Sequence, residues 1–148
     1  MDPRALYQEV IVEHGRRPRN FGKLEGANHI ARGHNPLCGD KMTLYLKVND
    51  QGIVEDARFE GEGCAISMAS ASLMTEAVKG KSAEEAELMF ENFHDLVMNT
   101  HEAKRPIELG KIKILAGVKA YPSRVKCATL AWHTLHNALE GGGEVSTE

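Results

Sequence analysis

The hydrophobic period of this chain changes abruptly from two to helical at Gly61-Glu62-Gly63. Upstream, Met42, Leu44, Leu46 and Val48 alternate with Thr43, Tyr45 and Lys47, the period of two that buries one face of a strand and wets the other. Asn49-Asp50-Gln51-Gly52 is a turn, and Ile53, Ala57 and Phe59 mark the returning strand of an antiparallel hairpin, with a third strand expected near His29 to His34. Downstream, Ile66, Ala69, Leu73 and Ala77 recur at helical spacing, with Met74 and Val78 beside them. The small side chains from Ala65 to Ser72 let that helix lie close to a sheet, and Gly80 is its expected stop.

Helices account for most of the remainder. Asp2 before Pro3 is a helix start, with Leu6, Val10 and Val12 as an apolar stripe (Tyr7 and Ile11 beside them) up to about Glu13. Ser82 with Glu85 spells a capping box for a helix carrying Ala86, Phe90, Phe93 and Val97. A short helix is expected over Ile112 to Val118. After Pro122, with Ser123 as cap, Cys127 to Leu139 forms the closing helix. The expected fold class is α+β: a small antiparallel three-stranded sheet packed on one side by helices, with an N-terminal helix and a helical C-terminal half. Residues 1–140 read as a single domain and 141–148 as a flexible tail.

Composition narrows the function classes. A length of 148 residues with 42% apolar content suits one core, and a formal charge of -3 without a basic stripe speaks against nucleic acid. No apolar run approaches a membrane span. Three cysteines, an odd number, and an opening Met1-Asp2-Pro3-Arg4 without a signal-peptide core lead to the expectation of a reducing cytoplasm. There is no nucleophile–base–acid triad, phosphate-cradling loop or dinucleotide fingerprint.

Those cysteines are where chemistry is expected. Cys38 sits in the Pro/Gly turn Asn35-Pro36-Leu37-Cys38-Gly39-Asp40, Cys64 opens the small-residue helix, and Cys127 opens the last one. Three thiols and the Asp40 carboxylate make a tetrahedral donor set for a thiophilic ion, which requires the sulfurs to gather within roughly 4 Å of one another. They are 26 and 63 residues apart, so the fold must bring them together. The alternative is that Cys64 and Cys127 are ordinary buried cysteines. Helix N-termini favour thiolates at Cys64 and Cys127, and Gly39 allows the tight turn that aims Cys38 and Asp40 at one ion. A carboxylate among thiolates is the more easily displaced ligand. Lys41, Arg124 and Lys126 can offset the surplus negative charge, and Arg124 lies three residues before Cys127 on the same helix face. His34 is a candidate neighbour of Cys38. His133 and His136, three apart, are capable of chelation but better suited to packing.

These motifs resemble those of the U-type iron–sulfur cluster assembly scaffolds, and within them the SUF-type branch. The resemblance rests on Cys38-Gly39-Asp40, on Gly61-Glu62-Gly63-Cys64-Ala65-Ile66-Ser67, and on Arg124-Val125-Lys126-Cys127-Ala128-Thr129-Leu130 followed by Trp132, and it covers essentially the whole chain. It implies zinc at rest on Cys38, Asp40, Cys64 and Cys127, and a transient [2Fe–2S] cluster on the three cysteines. It also implies sulfur delivered by a cysteine desulfurase, a pyridoxal-phosphate enzyme, with Cys38 as sulfur acceptor and Arg124 in support. Downstream apo iron–sulfur proteins or a SUF assembly complex would receive the product. The better-known ISC branch has a histidine before the third cysteine and a Leu-Pro-Pro-Val-Lys motif ahead of it. This chain has Lys126 there, lacks that motif, and carries an extra helix at about Ser82 to Asn99. The resemblance therefore implies two alternatives: a cluster scaffold, or a zinc-dependent sulfurtransferase that stimulates the desulfurase. A purely structural zinc module is a third reading. The Phe21 loop, the Ser82 to Asn99 helix and the surroundings of Arg124 are candidate docking surfaces.

Overall fold

A computed structural model describes residues 3–36, 39–141 and 143–146, with backbone alone for Pro3, Arg4, Ala120 and 143–146. Helix α1 spans Pro3–Arg16, followed by β1 (His29–Asn35), β2 (Asp40–Val48) and β3 (Val54–Glu62). Helices α2 (Ala65–Val78) and α3 (Ala83–Met98) come next, then a 3-10 segment (Gly110–Ala120), α4 (Pro122–Leu139) and β4 (Gly143–Ser146). The three antiparallel strands and the helical remainder agree with the α+β expectation. The sheet order is β3-β2-β1-β4.

The expected flexible tail contains the fourth strand: Gly143–Ser146 pair in parallel with β1, Ala31 opposite Gly143 and His34 opposite Ser146. Edge β1 would otherwise leave a row of N–H and C=O groups open. The returning strand also differs from the simple alternation. Lys47 pairs with Asp56 but Val48 with Val54, a bulge that moves the buried set to Val54, Ala57 and Phe59 and leaves Ile53 half-buried.

Ala31, Met42, Leu44, Leu46, Ala57 and Phe59 form the sheet's inner face, with α2 and α4 laid across it. Helix α2 is not one-sided as expected. Between α1, the sheet, α4 and the 3-10 segment it is buried nearly all round, from Ser67 through Val78. Its short side chains make that possible. The Ser70 hydroxyl donates to the Ala128 carbonyl at 2.6 Å, and His14 Nδ1 meets the Ser72 hydroxyl at 2.7 Å. In α1 the buried face is Ile11 and His14, with Tyr7 and Val10 half-buried, whereas Leu6 and Val12 are exposed. The spacing 7, 10, 11, 14 follows one helical face, and positions 6 and 12 fall off it.

Helix α3 starts with the expected capping box, Glu85 N–H to Ser82 Oγ and Ser82 N–H to Glu85 Oε1, both 3.0 Å. Asn99 ends it in the left-handed conformation. Phe93 stacks on Trp132 of α4, with ring centroids 4.8 Å apart. Helix α4 begins at Pro122, one residue before the expected Ser123 cap, and its N-cap Tyr121 makes no side-chain capping bond. Proline at the first helical position supplies the start instead.

Candidate metal centre

Asp40, Cys64 and Cys127 come from three different elements and meet at one end of the sheet. One ligand atom from each lies within 4.8 Å of the other two. Cys38 lies outside the described residues, but its sequence neighbours Asn35 and Asp40 pair across β1 and β2, and both reach this centre.

Asp40 begins β2 and is completely buried. Its Oδ1 accepts the Cys64 backbone N–H at 2.9 Å, while Oδ2 is buried without a hydrogen-bond partner among the described residues. A buried carboxylate oxygen left unpaired is costly, and a cation is the partner such an atom fits. Gly63 makes the approach possible: a Cβ there would collide with the Asp40 carboxylate. Gly39, just before Asp40, has φ +71, the left-handed conformation a tight turn needs.

Cys64 is the N-cap of α2, exposed, and its sulfur accepts the Ser67 N–H at 3.4 Å. Cys127 differs from the expectation. It is the sixth residue of α4 rather than part of its first turn, so no orphan helix N–H is available to it. It is 3% exposed, and Asn35 Nδ2 points at its sulfur across 3.8 Å. Asn35, a residue to which the sequence alone assigns no role, is fully buried and has its Oδ1 without a partner among the described residues. Its position before the Pro-Leu-Cys-Gly-Asp turn is the one local signal that could mark it.

Arg124 is exposed and its guanidinium lies over the Tyr121 ring, 4.6 Å from the centroid. Its charge also reaches Tyr7, whose buried hydroxyl makes no hydrogen bond of good geometry among the described residues. Burial pushes the Tyr7 phenol up, the Arg124 charge opposes that, and Cys64 adds to it. Tyr7, Arg124 and Cys64 thus share one electrostatic neighbourhood. His34 is exposed on the outer face of the sheet, where it lines a concavity of about 540 Å³ with Arg32, Lys41 and Glu62. His133 and His136 are remote from the cysteines, packed around Phe90.

The donor set fits zinc: two sulfurs and a carboxylate oxygen within reach of one ion, one of them otherwise orphaned. The group can gather a thiophilic cation and keep a thiolate, that of Cys64, open to solvent.

Several known proteins are similar to this chain over nearly its whole length. The zinc-dependent sulfurtransferase SufU of Bacillus subtilis (strain 168) is 49% identical over 141 residues, which cover 94% of each chain. The iron–sulfur cluster assembly scaffold protein IscU of Thermotoga maritima is 43% identical, covering 93% of this chain and 94% of that one. A crystal structure from Fervidobacterium islandicum AW-1, assigned to the SUF system as a cluster assembly scaffold, superposes with a TM-score of 0.82 at 38% identity, over 91% of this chain and 97% of that one. Residues 6–128 match the NifU-like N terminal domain, and the chain belongs to that family.

Proposed function

We propose that this protein is an iron–sulfur cluster assembly scaffold that accepts sulfur from a cysteine desulfurase. Iron and sulfide, its cargo, would gather on Cys38, Cys64 and Cys127, with Asp40 as the displaceable fourth ligand. The observation that carries this reading is the convergence of Asp40, Cys64 and Cys127 within 4.8 Å.

At rest, Asp40, Cys64, Cys127 and Cys38 would hold zinc, whose charge keeps thiol ligands deprotonated at neutral pH. The chain's own groups serve the same end. The Ser67 N–H stabilises negative charge on Cys64, and the Asn35 amide does so at buried Cys127. The Cys64 N–H holds Asp40 by one oxygen and leaves the other for the ion. Cys38 is the proposed sulfur acceptor. Its thiolate attacks the outer sulfur of the donor's persulfide, the donor S–S bond breaks, and the donor cysteine leaves as thiolate. One S–S bond is exchanged for another without net oxidation. Arg124, exposed beside Tyr121, supports the approach of the anionic persulfide.

A second reading, favoured by the 49% identity to a zinc-dependent sulfurtransferase, is persulfide relay without a stored cluster. The partners in both are a desulfurase and, downstream, apo iron–sulfur proteins or a SUF assembly complex. The cytoplasm is the proposed location. No described helix is long and apolar enough to cross a membrane.

Anaerobic reconstitution with ferrous iron, cysteine, a desulfurase and a thiol reductant that brings persulfide sulfur to sulfide tests the proposal. A thiolate-to-iron charge-transfer spectrum and a cluster that passes to an apo-ferredoxin are expected of a scaffold. Faster desulfurase turnover with zinc-loaded protein, and no bound iron, would select the relay. Sulfur uptake by Cys38→Ser at the wild-type rate removes Cys38 from the acceptor role.

A further inference from the structure

A second group of ligating side chains lies toward the other end of α4. His136 lies in the last turn of α4, Glu140 is the residue that caps its C-terminus, and Glu87 of α3 meets them across the helix pair. His136 Nδ1 and Glu87 Oε2 are 2.7 Å apart, and one ligand atom from each of the three residues lies within 4.8 Å of the others. His136 lies nine positions after Cys127, about 13.5 Å along a helix rising 1.5 Å per residue. The group is therefore separate from the cysteine centre, and binding there is independent of the proposed function.

Two features distinguish it from a surface ion pair. The second oxygen of Glu87, Oε1, is buried with no hydrogen-bond partner among the described residues. The imidazole is also held in place: Phe90 stacks on His136 with centroids 5.0 Å apart and planes 13° from parallel. His133 and His94 pack against the same phenyl ring.

We propose that Glu87, His136 and Glu140 form a second cation site, bridging α3 and α4, for a borderline divalent ion of the Zn2+ or Co2+ type. One imidazole and two carboxylates suit such an ion, and no thiolate is needed. Ligand distances of about 2.0–2.2 Å require the His136–Glu87 contact to open by about half an ångström. Glu140 is exposed and can swing in from the solvent side. Because the ion would tie two helices together, binding should raise the melting temperature.

The test is a Co2+ titration of full-length protein whose cysteines already hold one equivalent of zinc, followed by calorimetry and visible absorption. One further equivalent should bind, with weak ligand-field bands and no thiolate-to-cobalt charge transfer. Glu87→Gln and His136→Gln should each weaken it about tenfold or more, while His94→Ala leaves it within about twofold. Should Glu87→Gln fail to fold, the exposed Glu140→Gln replaces it, with the same expected loss. Absence of a second equivalent, equal binding by wild type and variants, or a charge-transfer band alone overturns the proposal.

Discussion

The two ends of α4 carry opposite kinds of polar chemistry. At Cys127 the donors are soft, come from three separate elements, and are partly sealed in. At His136 they are an imidazole and carboxylates on two neighbouring helices, open on one side to solvent. The first group exists only if the whole fold is right, because β2, the start of α2 and the second turn of α4 must coincide. The second needs only the packing of α3 on α4. Remote donors call for close packing between their carriers, which explains the short side chains of α2 and the Ser70–Ala128 contact beside Cys127.

The largest effect expected at the cysteine end is that of Cys127→Ser, which should lose stoichiometric zinc, read by metal analysis of anaerobically purified protein. Retention of one zinc per chain would break the comparison. Asn35→Ala removes a contact to a ligand sulfur and should weaken zinc binding by about tenfold to a hundredfold in a chelator competition. Gly63→Ala drives a methyl group into the Asp40 carboxylate. A cost of about 1–3 kcal/mol in denaturant unfolding is expected, together with weaker zinc retention. An unchanged midpoint there means Asp40 moves freely.

The smallest effect belongs to the other end. Burial, then the charges of His94 and His136, lowers the His133 pKa from its ordinary range. The unfolded chain therefore binds a proton before the folded one does, and stability falls as pH drops through the ordinary histidine range near about 6.5. Buried His14, lowered chiefly by burial, acts in the same sense. Glu87, raised by burial, has the opposite sign and acts above the ordinary carboxylate range. His133→Gln should flatten the acid limb between about pH 7 and pH 5, compared with wild type at equal metal loading. A slope identical to wild type assigns the acid sensitivity elsewhere.

Legibility in the sequence follows the same division. Local signals are plain: the alternation of Met42 to Val48, the Ser82–Glu85 capping box and the stop at Gly80 each depend on a few adjacent residues. What depends on neighbours far along the chain is not. The bulge opposite Lys47, the burial of α2 on all sides and the pairing of Gly143–Ser146 with β1 are set by tertiary contacts. At the centre, Asp40 and two cysteines stand out by residue type. Asn35 does not, because an asparagine before a Pro/Gly turn reads as a turn former until a buried sulfur is found opposite it. His133 and His136 are expected to pack, which Phe90 bears out, but Glu87 has no local mark to join it to α4.

Trp132, the chain's single tryptophan, is fully buried against Phe93, five residues past Cys127 and four before His136. At 1.5 Å per residue it stands about 7.5 Å along the axis from one donor group and about 6 Å from the other. A coloured ion at either end would quench its emission by energy transfer. The molecule thus carries an internal lamp between two lenses, and one fluorescence trace can follow both without any added dye.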